Sequence, residues 1–259
     1  MKRRILKQNL LLITAVFFAV TFLSSCLKSN DDNNSNIPVA GLMAFNLSPD
    51  KSAIGIALSG NNLTNVPLGY TNFTGGYLPI YPGTRSIIAF NAGSGSSFTA
   101  SDYTFNADKY YSLFVLGVED NYRNVVVKDE LDSLLPSPGK AYIRYINAIP
   151  DSGQPLVTVT DNANNVIHQN AAFASVSPFA EANIGSATIA ITDNNQIQAS
   201  RSITLEERKV YTILFTGVTN ATDTTHSIQI KYIENGTLQT DSTSKQQSVA
   251  FRGQKASVH

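Results

Sequence analysis

The chain has 259 residues, of which 42% are hydrophobic, and it carries 19 basic and 19 acidic side chains. A formally neutral chain lacks the basic patch that nucleic-acid binding needs, so we expect no nucleic-acid partner. The single cysteine excludes an intramolecular disulfide, and each domain must therefore be stabilised by its apolar core.

The first 25 residues have the pattern of a secretory signal peptide. Four basic residues within the first seven precede an apolar run of about 14 residues, 10–23. A basic N-terminus, a short apolar segment and small residues before the cleavage site are typical of a cleaved signal peptide. The run is shorter than the ~20 residues of a membrane-spanning helix, which disfavours an uncleaved anchor. We therefore expect residues 1–25 to be removed.

The only cysteine, Cys26, follows this segment directly. The sequence Leu23-Ser24-Ser25-Cys26 resembles the bacterial lipoprotein box, in which a leucine and two small residues precede the cysteine. This resemblance implies cleavage between Ser25 and Cys26, a diacylglycerol on the Cys26 thiol and acylation of the freed amine. Because two or more acyl chains hold a protein stably, we expect a membrane partner through the N-terminal lipid.

Residues 26–38 comprise Cys26 and a polar tether rich in Asn, Ser and Asp. The pair Asp31-Asp32 resembles the surface-export signal of Bacteroidetes-type lipoproteins, although a plain solvated linker explains it nearly as well. The expected location is the outer membrane, with the protein lipid-anchored at the cell surface and the periplasmic face as the alternative. Cleavage would leave 234 residues (259 − 25), with 15 basic (19 − 4) against 19 acidic side chains.

Residues 39–128 predict a first β-domain of about seven strands. Short segments rich in Ile, Val, Thr, Tyr and Phe alternate with turns that contain Gly, Asn, Asp and Pro, as is typical of an all-β chain. The first strand ends at Ser48-Pro49-Asp50, and Ala53–Leu58 has the period-2 alternation of a half-buried strand. The further extended segments are 69–73, 77–80, 85–91, 98–105, 110–118 and 124–128.

Residues 129–139 contain two prolines and a glycine and interrupt the strand pattern, so we place a linker there. The pattern then starts again and predicts a second β-domain at 140–236. A polar tail, 237–259, follows.

The two predicted domains are copies of one unit. The motif N-x-x-P-D at 46–50 recurs at 147–151, an offset of 101 residues (147 − 46), and the strand at 109–118 recurs at 209–218, an offset of 100. Blocks that recur in one order at near-constant spacing indicate an internal repeat. About seven short strands per copy predict two tandem antiparallel β-sandwiches.

These repeated motifs resemble the bacterial domain-of-unknown-function family 4397, over roughly 39–128 and 140–233. The residues that carry the resemblance are Asn46, Pro49, Asp50, Lys109, Tyr111 and Gly117 in the first copy, and Asn147, Pro150, Asp151, Lys209, Tyr211 and Gly217 in the second. The resemblance implies an all-β fold of immunoglobulin-like sandwiches on exported, often lipid-anchored proteins, and it brings no established activity. The rings of Tyr111 and Tyr211 are expected in the core, with their hydroxyls on backbone at its edge.

The sequence shows no catalytic set, and we expect a non-enzymatic protein without a cofactor. Its histidines are His168, His226 and the terminal His259, and none has the spacing of a metal site. His226 lies near Asp223, but in a threonine-rich loop without a nucleophile elbow. Asp50 and Asp151 recur once per copy, which favours a role in capping two equivalent turns.

Four aromatic residues of the first copy, Tyr70, Phe73, Tyr77 and Tyr81, lie close together in sequence. They could form a ligand-binding platform for sugar stacking, although packing in the core and at its edges is favoured. We therefore expect a surface-binding, adhesion or structural spacer module whose partner is a surface protein or another envelope component. The alternative is a carbohydrate-binding accessory lipoprotein that captures a glycan.

Overall fold

The computed structural model describes residues 37–162, 164–193 and 197–239. The predicted signal peptide, the predicted lipidation site Cys26, nearly all of the tether and the tail from residue 240 lie outside this part. The chain divides into a unit Met1–Ile37 and a unit Pro38–His259, and the fold given below is that of the second unit. Within the described residues, no helix has the length and hydropathy needed to cross a bilayer.

The described chain is all β. Its first half forms β1 (Ala40–Leu47), β2 (Ala53–Leu58), β3 (Asn61–Asn62), β4 (Leu68–Gly69), β5 (Leu78–Ile80), β6 (Gly83–Asn91), β7 (Ser97–Phe105), β8 (Tyr110–Leu116) and β9 (Arg123–Lys128). Its second half forms β10 (Lys140–Asn147), β11 (Leu156–Thr160), β12 (Asn165–Asn170), β13 (Ala180–Asn183), β14 (Gly185–Thr192), β15 (Gln198–Leu205), β16 (Lys209–Thr216) and β17 (Gln229–Thr237).

These strands form two β-sandwiches, which confirms the fold expected from the repeat. In the first sandwich, an inner sheet of order β5-β1-β8-β9 faces an outer sheet of order β3-β2-β6-β7, with β4 also paired to β2. In the second, the inner sheet is β13-β10-β16-β17 and the outer sheet is β12-β11-β14-β15. Each sandwich encloses its own apolar core.

Each inner sheet contains one parallel pair, which differs from the all-antiparallel pairing expected. Strand β1 runs parallel to β8, from Gly41 opposite Tyr110 to Leu47 opposite Leu116, and β10 runs parallel to β16. A hairpin joins only antiparallel strands, whereas the chain between β1 and β8 passes through the outer sheet before it returns. The long connection therefore permits the parallel arrangement.

The repeated tyrosines lie where the sequence predicts. Tyr111 on β8 and Tyr211 on β16 are 1% and 3% exposed. The Tyr111 hydroxyl accepts the backbone N–H of Asn106 at 2.9 Å, and the Tyr211 hydroxyl accepts that of Glu206 at 3.1 Å. Each side chain thus fills a core with its ring and fixes the turn that precedes its own strand, as in the tyrosine corner of immunoglobulin-like sandwiches.

The asparagine of the repeated N-x-x-P-D motif holds the turn after each opening strand. The Asn46 amide donates to the carbonyls of Lys51 (2.9 Å) and Leu68 (3.0 Å), and its oxygen accepts the N–H of Ser48 at 3.1 Å. The equivalent contacts of Asn147 are Ser152 Oγ at 2.8 Å, the Ala171 carbonyl at 2.9 Å and the Ile149 N–H at 3.1 Å. Both asparagines are fully buried, so these bonds satisfy backbone groups that water cannot reach.

The aspartates of the same motif differ between the copies. The Asp50 carboxylate accepts hydrogen bonds from the Glu119 N–H at 3.1 Å and from the Tyr122 hydroxyl, so it holds a loop 69 residues further along the chain. Asp151 is exposed and makes no side-chain hydrogen bond with a described residue. The expected equivalent capping role is therefore taken by the asparagines instead.

Replacement of Asn147 by alanine should lower the free energy of unfolding by about 2–4 kcal/mol, because it leaves the Ile149 N–H and the Ala171 carbonyl buried without partners. Denaturation by urea, followed by circular dichroism, measures this loss. Asp151→Ala, four residues away in the same turn, is the matched control and should change stability by less than about 0.5 kcal/mol. Equal effects of the two variants would contradict the role assigned to the asparagine.

Candidate functional site

The two sandwiches meet through their inner sheets, and we call this interface the seam. Its buried apolar residues come from both halves: Met43, Phe45, Leu47, Phe114 and Leu116 from the first, and Ile146, Ala148, Leu214 and Ile233 from the second. On β1, these residues alternate with Leu42 and Ala44, which lie in the core of the first sandwich. The strand is therefore apolar on both faces, as expected of a strand buried on both sides.

The predicted linker also packs against the seam. Leu131–Ser133 form a single turn of 3-10 helix. Leu131 and Leu134 are buried in a cluster with Tyr142, Val210 and Leu238, whereas Leu135 is 57% exposed. Two leucines thus tie the segment between the sandwiches to the body of the protein.

A buried ion pair between Arg144 and Asp129 lies within the seam. Arg144 Nη1 donates to Asp129 Oδ1 at 2.5 Å, and the two side chains are 3% and 0% exposed. The other guanidinium nitrogens bind Ser112 Oγ (2.8 Å) and Thr212 Oγ1 (3.0 Å). The second Asp129 oxygen accepts the hydroxyls of Tyr77 (2.6 Å) and Ser112 (2.7 Å). Both charges are therefore paired and hydrogen-bonded, which a buried ion pair needs to be tolerated.

This network joins the two sandwiches. Asp129, Ser112 and Tyr77 belong to the first sandwich and its linker, while Arg144 and Thr212 belong to the second. Asn235 extends it, since it accepts the Thr212 hydroxyl at 2.6 Å and donates to the Tyr77 oxygen at 3.3 Å. Burial, together with the neighbouring Asp129 carboxylate, holds the pKa of Tyr77 well above its usual value.

The four aromatic residues singled out in the sequence do not share one surface. Phe73 stacks on Phe45 at 5.3 Å between ring centroids, and Tyr77 donates to Asp129, so both lie in the seam. Tyr81 is 64% exposed and follows β5, whose last residue pairs with the start of β1. Tyr70 lies beside the opposite end of β1, about 20 Å away at 3.3 Å per strand residue.

A groove opens at the edge of the seam where Tyr70 lies. Its volume is about 720 Å³. One wall comes from the first sandwich and consists of Ser52, Tyr70 and Thr71. The other comes from the second sandwich and consists of Thr224, Thr225, His226, Gln229 and Lys231. The groove therefore exists only where the two sandwiches are held together.

Tyr70 and His226 stack across this groove, with ring centroids 5.7 Å apart and planes 18° from parallel. His226 Nδ1 lies 2.7 Å from Asp223 Oδ2, and the His226 backbone N–H donates to Asp223 Oδ1 at 2.9 Å. These bonds lower the pKa of the Asp223 carboxyl. Burial of the Tyr70 hydroxyl raises the pKa of Tyr70 to about 12, so the phenol stays neutral.

Gly217 positions the loop that carries His226. Its φ is +108°, and a Cβ there would lie 2.3 Å from the Ser227 carbonyl oxygen. The loop then closes with a hydrogen bond of 2.8 Å from the Val218 N–H to the His226 carbonyl. The glycine of the repeated late-strand motif is therefore required for the close approach of the two chain segments.

The groove offers hydrogen-bonding and ring contacts but lacks the geometry of a hydrolytic triad. His226 Nε2 makes no hydrogen bond with a described residue, whereas a nucleophilic triad needs a hydroxyl there. In the described ranges 37–162, 164–193 and 197–239, no three acidic, histidine or cysteine side chains are grouped as a metal site.

Sequence reasoning missed the seam and the groove. One feature of the sequence could have indicated the seam. Arg144 is a charged residue inside the apolar strand Tyr142-Ile143-Arg144-Tyr145-Ile146. Such a residue in a buried strand requires a buried partner of opposite charge. No local signal pairs Tyr70 with His226, which lie in different copies.

The fold and the repeat define the class as a tandem β-sandwich protein. The chain belongs to the family described as domain of unknown function (DUF4397), whose model matches residues 40–154 and 141–252. This finding confirms the resemblance inferred from the repeated motifs. No curated protein matches the chain.

Two solved structures are similar to the chain at low identity. One is titled "Alpha-glucan binding by a streptococcal virulence factor", with 12% identity, a TM-score of 0.23, and coverage of 68% of this chain and 92% of that one. The other is a family CBM26 module from Eubacterium rectale Amy13K in complex with maltoheptaose, with 12% identity, a TM-score of 0.25, and coverage of 73% and 95%. Similarity at this level identifies no ligand for this chain.

Replacement of Arg144 by methionine should destabilise the protein by about 3–5 kcal/mol, because Asp129 is left buried without its counter-ion. Addition of Asp129→Asn should recover part of this loss, since the neutral amide needs no cation. Chemical denaturation of the two single variants and the double variant measures the coupling.

The matched control is Lys109→Met, which removes an exposed ion pair with Asp132 whose side chains are 37% and 50% exposed. Lys109→Met should lower the free energy of unfolding by less than about 1 kcal/mol. A loss from Arg144→Met as small as that of the control would disprove the importance of the buried pair.

Proposed function

We propose that the protein is a non-enzymatic, lipid-anchored outer-membrane protein that presents its two sandwiches at the cell surface as one binding or spacing body. The observation that carries this proposal is the seam. Two domains joined by a flexible linker would move independently, as relative motion is the default for small, polar interfaces. Here apolar packing and a buried ion pair join them, so a partner would meet one surface of fixed shape.

The location rests on the sequence Leu23-Ser24-Ser25-Cys26 and on the polar residues that follow it. A lipid at Cys26 would place the folded body at the membrane surface through the tether. The acidic pair Asp31-Asp32 supports export to the outer face. The protein would then act by contact with a surface protein, an envelope component or a glycan.

Cys26→Ala should abolish incorporation of labelled palmitate and release the protein from the membrane fraction, because the thiol that takes the lipid is gone. Ser29→Ala, in the tether, is the control and should label normally. Palmitate incorporation by the Cys26→Ala variant would show that the anchor is elsewhere.

A second experiment tests on which face of the outer membrane the protein lies. Cells that express the wild type are treated with a membrane-impermeant amine reagent before and after permeabilisation. Labelling of the protein only after permeabilisation would contradict surface display.

The second candidate is glycan capture, and the groove is the observation that favours it. Its walls carry the hydroxyls of Ser52, Thr71, Thr224 and Thr225, which can donate to and accept from sugar hydroxyls. The imidazole of His226, whose side chain is 38% exposed, adds a ring surface. Polar groups that converge on a concave surface are typical of small-ligand sites.

A glycan array with the full-length protein in detergent tests this candidate. If a glycan occupies the groove, His226→Ala should weaken its binding about tenfold, the equivalent of 1.4 kcal/mol. Tyr81→Ala, an exposed aromatic remote from the groove, should bind as the wild type does. A blank array, or equal losses in the two variants, would reject glycan capture at the groove.

A further inference from the structure

Lys231 lines the groove and lies on the face of its sheet that forms the seam. On β17 it pairs with Leu214 of β16, and Leu214 is buried in the seam. Side chains that are directly opposite on paired strands share one face of the sheet. Lys231 therefore lies on the seam face of the inner sheet, and it is half-buried there.

Lys231 differs from the other lysines of the described chain. Lys51, Lys109, Lys128, Lys140 and Lys209 each make an ion pair with an aspartate or a glutamate. Lys231, by contrast, makes no ion pair with a described residue. A half-buried lysine without a counter-ion among the described residues is a favourable position for an anionic ligand group.

The rest of the groove reinforces this preference. None of its lining residues is acidic. The neighbouring carboxylate, Asp223, is engaged by the His226 imidazole at 2.7 Å and by its backbone N–H. The Gln229 side-chain nitrogen donates to the Thr224 carbonyl at 2.6 Å, so its amide oxygen is directed elsewhere and can accept from a ligand hydroxyl. The groove thus combines one cation with several uncharged polar groups.

We propose that the groove binds an acidic saccharide, with the carboxylate of a sugar acid on the Lys231 ammonium and the sugar hydroxyls on the threonine, serine and glutamine side chains. This inference rests on the second proposed function, glycan capture, and names its ligand class. An acidic peptide would satisfy the same cation. However, the lining contains no aliphatic residue to receive the apolar anchors on which peptide affinity depends.

Isothermal titration of the full-length protein in detergent with tetragalacturonic acid tests the proposal, and the fully methyl-esterified tetramer serves as its uncharged counterpart. The ester should bind the wild type about tenfold more weakly than the acid, since it loses a charge-assisted hydrogen bond. Lys231→Met should weaken binding of the acid to the same extent and leave binding of the ester unchanged. Lys231→Arg retains the charge and should keep most of the affinity for the acid. This result would show that substitution at position 231 does not by itself unfold the site.

Lys140→Met is the matched control, because it removes one lysine from the same sandwich without touching the groove. It should bind the acid as the wild type does. Equal binding of acid and ester by the wild type would overturn the acidic preference and leave glycan capture intact. Failure of the wild type to bind any saccharide would overturn both. Equal losses in Lys231→Met and Lys140→Met, or binding of hexaglutamate as tight as that of the sugar acid, would also overturn the proposal.

Discussion

The contact between Arg144 and Asp129 is the constraint on which the arrangement of the protein depends. Apolar packing alone would allow the two inner sheets to pack in several ways, because burial of apolar area is not directional. A buried charge is tolerated only where its counter-ion and hydrogen-bond partners are in place. The guanidinium binds Asp129, Ser112 and Thr212 at 2.5–3.0 Å, and these partners come from both sandwiches. The ion pair therefore selects one position of the second sandwich on the first.

The groove follows from this position. Its walls belong to different sandwiches, so a shift of the seam would separate Tyr70 from His226 and change the surroundings of Lys231. The seam and the groove are thus one structural feature, with a buried apolar centre that contains the ion pair and a polar margin at the surface. The first wall consists of turn and loop residues, and the second combines the loop before β17 with Gln229 and Lys231 on β17 itself.

Much of the fold could be predicted from the sequence, since the repeat fixes two copies of one sandwich and the positions of Tyr111 and Tyr211 follow from it. The seam could not be predicted by alternation, because a strand such as β1 is apolar on both faces and its sequence does not show which side faces a second domain. Tyr77 was a candidate ligand residue because it lies close in sequence to other aromatic residues, whereas the structure places it in the seam. The groove joins residues more than 150 positions apart, and only the three-dimensional structure brings them together.

Differential scanning calorimetry of the protein tests the central claim, that the two sandwiches are one cooperative body. If the seam couples them, both should unfold in a single transition, with a ratio of calorimetric to van't Hoff enthalpy of about 1. Two resolved transitions, or a ratio of about 2, would mean that each sandwich unfolds by itself and that the buried ion pair does not join them.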